Sequence, residues 1–219
     1  MVVSRKNIIP KTRITVDGIE LEQVNKFIYL GHLITEHGKS DADIKRRIEI
    51  AKSTFIKMSK TLTCRKITLN TRKRLMKCYV WSTLLYGAET WSISKAMLHK
   101  IRSFEMWCIR KMLKIPWTDR VTNEEAIRRW DSRKELEAVI MKKKTSYCGH
   151  ILRRTNGLQK ILLEGHVEGV RERGRQRLTW LDNIKNWTGY NYQQLTRKAQ
   201  DREGWKSMIV NLERDGTID

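Results

Sequence analysis

Two kinds of spacing in this chain could do chemistry: acids close enough to share metal ions, and thiols and imidazoles close enough to ligate one. Asp41-Ala42-Asp43 is the nearest approach to an acid cluster. Two-metal catalysis needs clustered carboxylates that hold both ions a few ångströms apart, and the sequence contains no Asp-Asp pair. Asp41 and Asp43 stand where a helical pattern begins, where capping and the helix dipole account for them. Cys148, His150 and His166 could contribute to a metal site, but no fourth ligand accompanies them. The four cysteines, at 64, 78, 108 and 148, are spaced by 14, 30 and 40 residues, unlike any zinc pattern. Gly149 reads instead as a local turn. Glu89, between Ala88 and Thr90 beside Trp91, reads as a carboxylate paired with a base or capping the next helix. No catalytic residue, metal site or cofactor is expected.

The basic residues carry the stronger signal. Lys and Arg number 45 against 24 Asp and Glu, a formal net charge of +21. A field of that size draws polyanions, and RNA or DNA is the partner it fits best. A membrane surface fits less well, because no basic amphipathic stretch carries an apolar anchor. The candidate phosphate contacts fall in four groups. Arg72-Lys73-Arg74 with Lys77 should lie on the solvent side of a helix. Lys142-Lys143-Lys144 and Arg153-Arg154 bracket Cys148-Gly149-His150. Arg171, Arg173, Arg175 and Arg177, interleaved with Gly174, would let the backbone follow phosphates. The competing readings are a solvated helical face for the first group and a disordered basic linker for the last.

These residues need elements to position them. At 219 residues the chain makes one or two domains, and roughly 70% of the unfolded surface can be buried at such a size. The first 36 residues read as β. Arg13 to Val16 alternates, Asp17-Gly18 is a hairpin turn, Ile19 to Leu21 alternates again, and Phe27 to Ile34 is a further strand rich in aromatic and β-branched residues. From Asp41, Ile44, Ile48, Ala51, Phe55 and Met58 recur at helical spacing, with Lys45, Arg46, Lys52 and Lys57 off that stripe. A second helix spans about Thr71 to Tyr86, with Leu75, Cys78, Tyr79, Ser82 and Leu85 on one side and Gly87 as its stop. A third runs from about Ser94 to Leu113 through Met97, Ile101, Phe104, Cys108 and Met112, ended by Pro116.

Thr122 to Glu125 and Ser132 to Glu135 are capping boxes that predict two more helices, the second reaching Tyr147 or beyond. Glycines 157, 165, 169 and 174 then mark a linker. A helix over Leu178 to Trp187 and one or two more over Tyr192 to Leu212 complete the chain. Trp81, Trp91, Trp107 and Trp130 read as packing residues, as do Trp180 and Trp187, seven apart on one helix. Nothing approaches ~20 continuous apolar residues and no signal peptide is evident. Free thiols in a reducing, intracellular setting, nucleus or cytoplasm, are expected.

Several ordered strings resemble one family. They are Phe27-Ile28-Tyr29-Leu30-Gly31, Gly38, Ile44-Lys45-Arg46-Arg47-Ile48 with Ala51, and Leu85-Tyr86-Gly87-Ala88-Glu89-Thr90-Trp91. Cys148-Gly149-His150-Ile151-Leu152-Arg153-Arg154, Gly174-Arg175-Gln176-Arg177 and Trp180-Leu181-Asp182 follow. The set resembles the C-terminal part of the endonuclease–reverse transcriptases of non-LTR, LINE-like retrotransposons, over about Met1 to Asn186. A lone Tyr-Leu-Gly is weak; the whole ordered set is fairly specific.

The resemblance implies an α+β, mainly α chain: residual palm and primer-side β strands over 1–36, a thumb-like helical bundle over 37–117, and a basic helical region over 118–219. Met1 to Arg5 would be the last palm strand, so the chain would begin inside the polymerase. The family's palm carries an aromatic-x-Asp-Asp motif that binds two catalytic metal ions, and this sequence lacks it. Nor does it carry the family's endonuclease domain or a Cys/His knuckle. The expectation is a fragment that binds nucleic acid and is not itself an enzyme. Joined to an upstream palm it would be part of an active RNA-directed DNA polymerase, and it could equally be a decayed element product. Without a palm, its β strands leave an edge open to self-association.

Overall fold

The computed structural model describes residues 1–3, 10–131, 135–165 and 178–215, with the backbone alone for residues 213–215. The fold is α+β and mainly helical, with small antiparallel sheets near the N-terminus. The chain divides into two compact units, Met1–Gly87 and Ala88–Asp219. This break at Gly87 lies between the boundaries that the resemblance implies, at residues 36 and 117. Among the described residues no helix is long and apolar enough to cross a membrane.

The first unit opens with two hairpins. Strands β1 (Thr15–Val16) and β2 (Ile19–Glu20) pair across Asp17-Gly18. Strands β3 (Lys26–Tyr29) and β4 (His32–Thr35) pair Phe27 with Ile34 and Ile28 with Leu33. The run read as one strand from Phe27 to Ile34 is therefore two. Leu30 and Gly31 take φ of 47° and 81°, as Asp17 and Gly18 take 52° and 79°. Positive φ at both central residues makes the two-residue turn whose twist suits a hairpin, and leucine adopts it less readily than glycine.

Helix α1 (Asp41–Lys57) holds the second hairpin in that shape. Asp43, 3% exposed, accepts the Leu33 amide at 2.9 Å and meets His32 Nδ1 at 3.3 Å. The Gly31 carbonyl accepts Arg46 Nη1 at 3.1 Å and also the Arg47 guanidinium. The Tyr86 hydroxyl donates to the Leu30 carbonyl at 3.1 Å, and Arg47 lies 4.5 Å from the centre of its ring. Asp43 thus does more than complement a helix dipole: it bridges to the hairpin, while no side chain caps the helix at Ser40. Beside that face of α1, Ile44, Ile48, Ala51 and Phe55 are buried as their spacing predicts, and Met58, just past the helix, is half-buried.

Beyond α2 (Ser59–Leu62), helix α3 (Leu69–Leu75) runs into a π-helical segment, Met76–Trp81, and on into α4 (Ser82–Leu84). Here the predicted stripe was misplaced. Of its five residues only Leu85 is buried; Leu75 is half-buried and Cys78, Tyr79 and Ser82 are exposed, whereas Arg72, Met76, Val80 and Leu84 are buried. In an α-helix a strict four-residue spacing drifts around the surface. The wider π turn slows the drift, so the four stay on one side.

In the second unit, α5 (Lys95–Leu113) starts at Ser94, whose hydroxyl accepts the Met97 amide. Its stripe of Met97, Ile101, Phe104, Cys108 and Met112 is buried. It ends at Lys114 in the left-handed conformation, φ 55°, two residues before Pro116. Thr122 caps α6 (Asn123–Trp130) as its capping pattern predicts. Residues 132–134 of the second pattern lie outside the described residues. Helix α7 (Leu136–Arg153) is instead met by Glu105 of α5, whose buried carboxylate accepts the amides of Glu135 at 2.8 Å and Leu136 at 3.0 Å. A negative charge on these first amides suits a helix N-terminus. Next come α8 (Leu158–Glu164), α9 (Trp180–Thr188), α10 (Tyr192–Gln200) and α11 (Arg202–Asp215).

Gly149 is not a turn. It sits inside α7, where α11 packs against it with Trp205. All four cysteines are free thiols.

Candidate nucleic-acid interface

In the first unit the structure sorts the basic cluster on α3 by depth. Arg72 is 8% exposed and points inward, donating from Nε to the Ile67 carbonyl at 3.1 Å and from Nη1 to the Leu62 carbonyl at 3.2 Å. It ties α3 to the preceding chain, so its expected place on the solvent side is corrected: it belongs to the four-residue stripe above. Arg74 is exposed, and Lys73 and Lys77 are half-buried. Lys77 Nζ lies 5.5 Å from the centre of the buried Trp81 ring.

In the second unit the solvent face of α7 carries Lys142, Lys143, Ser146 and His150, with the exposed Arg154 just past its end. At 1.5 Å rise per residue this basic face runs for about 18 Å from Lys142 to Arg154. Arg153 is half-buried and donates to the Ala199 carbonyl at 3.1 Å, which fastens α7 to α10. His150 is exposed and Cys148 buried on the same helix, so the two do not converge on one ion. Among the described residues no group of three or more His, Cys, Asp or Glu comes together to hold a metal. Arg171, Arg173, Arg175, Arg177 and His166 lie outside the described residues.

Lys144 is the second correction. It is fully buried, one residue beyond Lys143 but facing the core. Its ammonium donates to the Trp91 carbonyl and to Asn183 Oδ1, both at 2.6 Å. The rings of Trp180 and Trp187 lie 5.0 and 5.6 Å away. Asn183 in turn accepts the Ile93 amide and donates to the Ile93 carbonyl, each at 2.8 Å, and the Trp180 indole donates to the Glu89 carbonyl at 2.7 Å. Lys144 thus joins α7, α9 and the chain around Trp91. Burial pushes its pKa down to about 7, although the nearby Cys148 and Asp182 pull it up. Burial likewise pushes the Cys148 thiol up to about 12.

The paired placement of Trp180 and Trp187 was legible as packing, but not what they pack around. A lysine in a three-lysine run gives no sequence sign of being interior. Its position one helical turn before the buried Cys148 was the available hint. Trp81, Trp91 and Trp130 are buried, and the half-buried Trp107 stacks on Phe104 with centroids 6.1 Å apart.

The chain is similar to a transposon-derived protein of Caenorhabditis elegans described as uncharacterized. The two are 26% identical over 204 residues, covering 87% of this chain and 72% of the relative. No family model and no solved structure matches the chain. The relationship supports a transposon origin.

Proposed function

We propose that this chain is the nucleic-acid-holding C-terminal part of a non-LTR retrotransposon reverse transcriptase, gripping template–primer or target nucleic acid through its phosphates, without a polymerase or endonuclease centre of its own. The observation that carries the reading is arithmetic. With 45 Lys and Arg against 24 Asp and Glu, the chain would keep a formal charge of +21 even if every carboxylate neutralised one cation. Three of the thirteen candidate contacts, Arg72, Lys144 and Arg153, are used inside the fold. Arg74, Lys142, Lys143 and Arg154 are exposed to solvent. Exposed cations in such excess suit a phosphate backbone, and phosphate contacts fix position with little sequence preference.

The transposon-derived relative supports the source of the chain, and the ordered strings from Tyr29-Leu30-Gly31 to Trp180-Leu181-Asp182 support the non-LTR assignment. The absence of any Asp-Asp pair supports a holding role over a catalytic one.

Binding of labelled RNA, DNA and hybrid oligonucleotides across a salt series tests the reading. With about 6 phosphates neutralised on a duplex, the log–log slope is expected near −5. A flat response would overturn it. Primer extension by the purified chain with Mg²⁺ or Mn²⁺ is expected to give no product, and incorporation would overturn the non-catalytic assignment.

A further inference from the structure

Trp117 is 92% exposed, while Trp81, Trp91, Trp130, Trp187 and Trp205 are 8% exposed or less. It is held out from the second unit on a constrained loop. Helix α5 stops at Lys114 with φ 55°, and the Ile115 amide returns to the Arg110 carbonyl at 3.0 Å. Pro116 then leads into a single 3-10 turn, Trp117–Asp119, and Arg120 takes φ 48°. The Arg110 side chain closes the far end of the loop, donating from Nη2 to the Val121 carbonyl at 2.9 Å. One residue therefore fastens both ends of the loop, one through its carbonyl and the other through its guanidinium.

The surroundings of the indole define what could cover it. Lys111, Lys114 and Arg120 are exposed, and none forms an ion pair among the described residues. Asp119 is the one acid between Lys111 and Val121. A partner suited to this loop offers a flat π face beside negative charge. An unpaired base with its flanking phosphates does so, whereas a duplex hides its base faces in the stack. A protein or membrane partner would call for exposed apolar neighbours, and apart from Pro116 the exposed residues beside Trp117 are polar or charged: Lys114, Thr118, Asp119 and Arg120.

We propose that Trp117 is a stacking platform for an unpaired base, with Lys111, Lys114 and Arg120 contacting the adjoining phosphates. The inference rests on the nucleic-acid-holding reading and adds single-strand recognition to it. The test uses the full chain, its Trp117→Ala and Trp117→Phe variants, and three probes of equal length: a single strand, an abasic strand and a duplex. Trp117→Ala is expected to weaken single-strand binding by about 5- to 150-fold, with Trp117→Phe retaining most of the affinity. Abasic and duplex binding, and the thermal melt, should be unchanged.

If Trp117→Ala leaves single-strand affinity intact while the wild-type salt slope remains steep, stacking is refuted and the phosphate-holding reading survives. If the wild type binds no probe, both fall together. Loss of self-association or of anionic-vesicle binding in Trp117→Ala, with oligonucleotide affinity unchanged, would give the residue to another partner and also refute the proposal.

Discussion

Gly149 is the place where the Trp205 indole meets helix α7. A β-carbon built there would lie 2.3 Å from Trp205 Nε1, 2.7 Å from Cε2 and 2.8 Å from Cδ1. The indole, 2% exposed, donates from Nε1 to the Thr145 carbonyl at 3.1 Å, so it has little freedom to retreat. Alanine in a helix interior gains about 1 kcal/mol over glycine. Displacing a buried aromatic ring costs about 1–3 kcal/mol, and losing its hydrogen bond adds about 1 kcal/mol. Gly149→Ala is therefore expected to destabilise the second unit. Adding Trp205→Phe should recover part of the Gly149→Ala effect by opening space. Chemical denaturation of Gly149→Ala, Trp205→Phe and the double variant checks this, and equal or greater stability in Gly149→Ala would contradict the packing argument.

Arg72 and Arg74, two residues apart on α3, should respond in opposite ways to removal. Arg72→Ala leaves two carbonyls without a donor that the buried guanidinium supplies, and each such loss costs about 1–3 kcal/mol. Stability of the first unit should fall by that order, and oligonucleotide affinity only as far as folding is lost. Arg74→Ala changes an exposed position, so the melt should stay within about 0.5 kcal/mol of wild type. Its salt slope should become shallower by up to about 1. A thermal melt and a salt titration on each variant separate the two outcomes.

The Gly87–His32 contact makes a third expectation. Gly87 has φ of 66°, and a β-carbon on it would fall 1.9 Å from the His32 ring. Both the backbone and the space thus require glycine. Gly87→Ala should displace His32 from Asp43 and loosen the β3–β4 hairpin. The check is faster amide exchange at Leu33, whose N–H Asp43 accepts, with exchange in the core of α1 little changed.

How much of this was legible in sequence follows from which signals are local. The helices around Ile44 to Phe55 and Met97 to Met112 repeat apolar residues at helical spacing, and the hydroxyls of Ser94 and Thr122 mark starts, so these elements could be read directly. The α3–α4 stretch could not, because a π segment changes the residues per turn and no residue type announces it. The Leu30-Gly31 turn was hidden by leucine in a conformation that glycine or asparagine usually signals. For the candidate interface, charge located the basic segments but not their depth. Lys143 and Lys144 are neighbours in sequence, yet one is exposed and the other fully buried on α7, a difference set by tertiary packing. Trp117 carries no sequence mark of its own, because exposure of a tryptophan is likewise a property of the fold.

Lys144 should give the second unit a stability that rises with pH. Its folded pKa is about 7 against an ordinary 10.5. Between those values the unfolded chain holds a proton that the folded chain has released. Stability rises with pH wherever the unfolded state binds more protons. The slope from this group has an upper limit of about 1.4 kcal/mol per pH unit, and it vanishes below the folded value, where both states are protonated. Cys148 acts in the opposite sense from pH 9 upward, since its thiol titrates at about 12 when folded against 9.0 ordinarily. The net gain should therefore be clearest between pH 7 and 9. Lys144→Met, which keeps an unbranched side chain one atom shorter and without the charge, should flatten that window, although it leaves Asn183 and the Trp91 carbonyl short of a donor. Denaturant midpoints of wild type and variant across the window measure the difference in slope. Parallel curves for the two proteins would mean that the ammonium, held by two carbonyl oxygens and two indole faces, stays charged throughout.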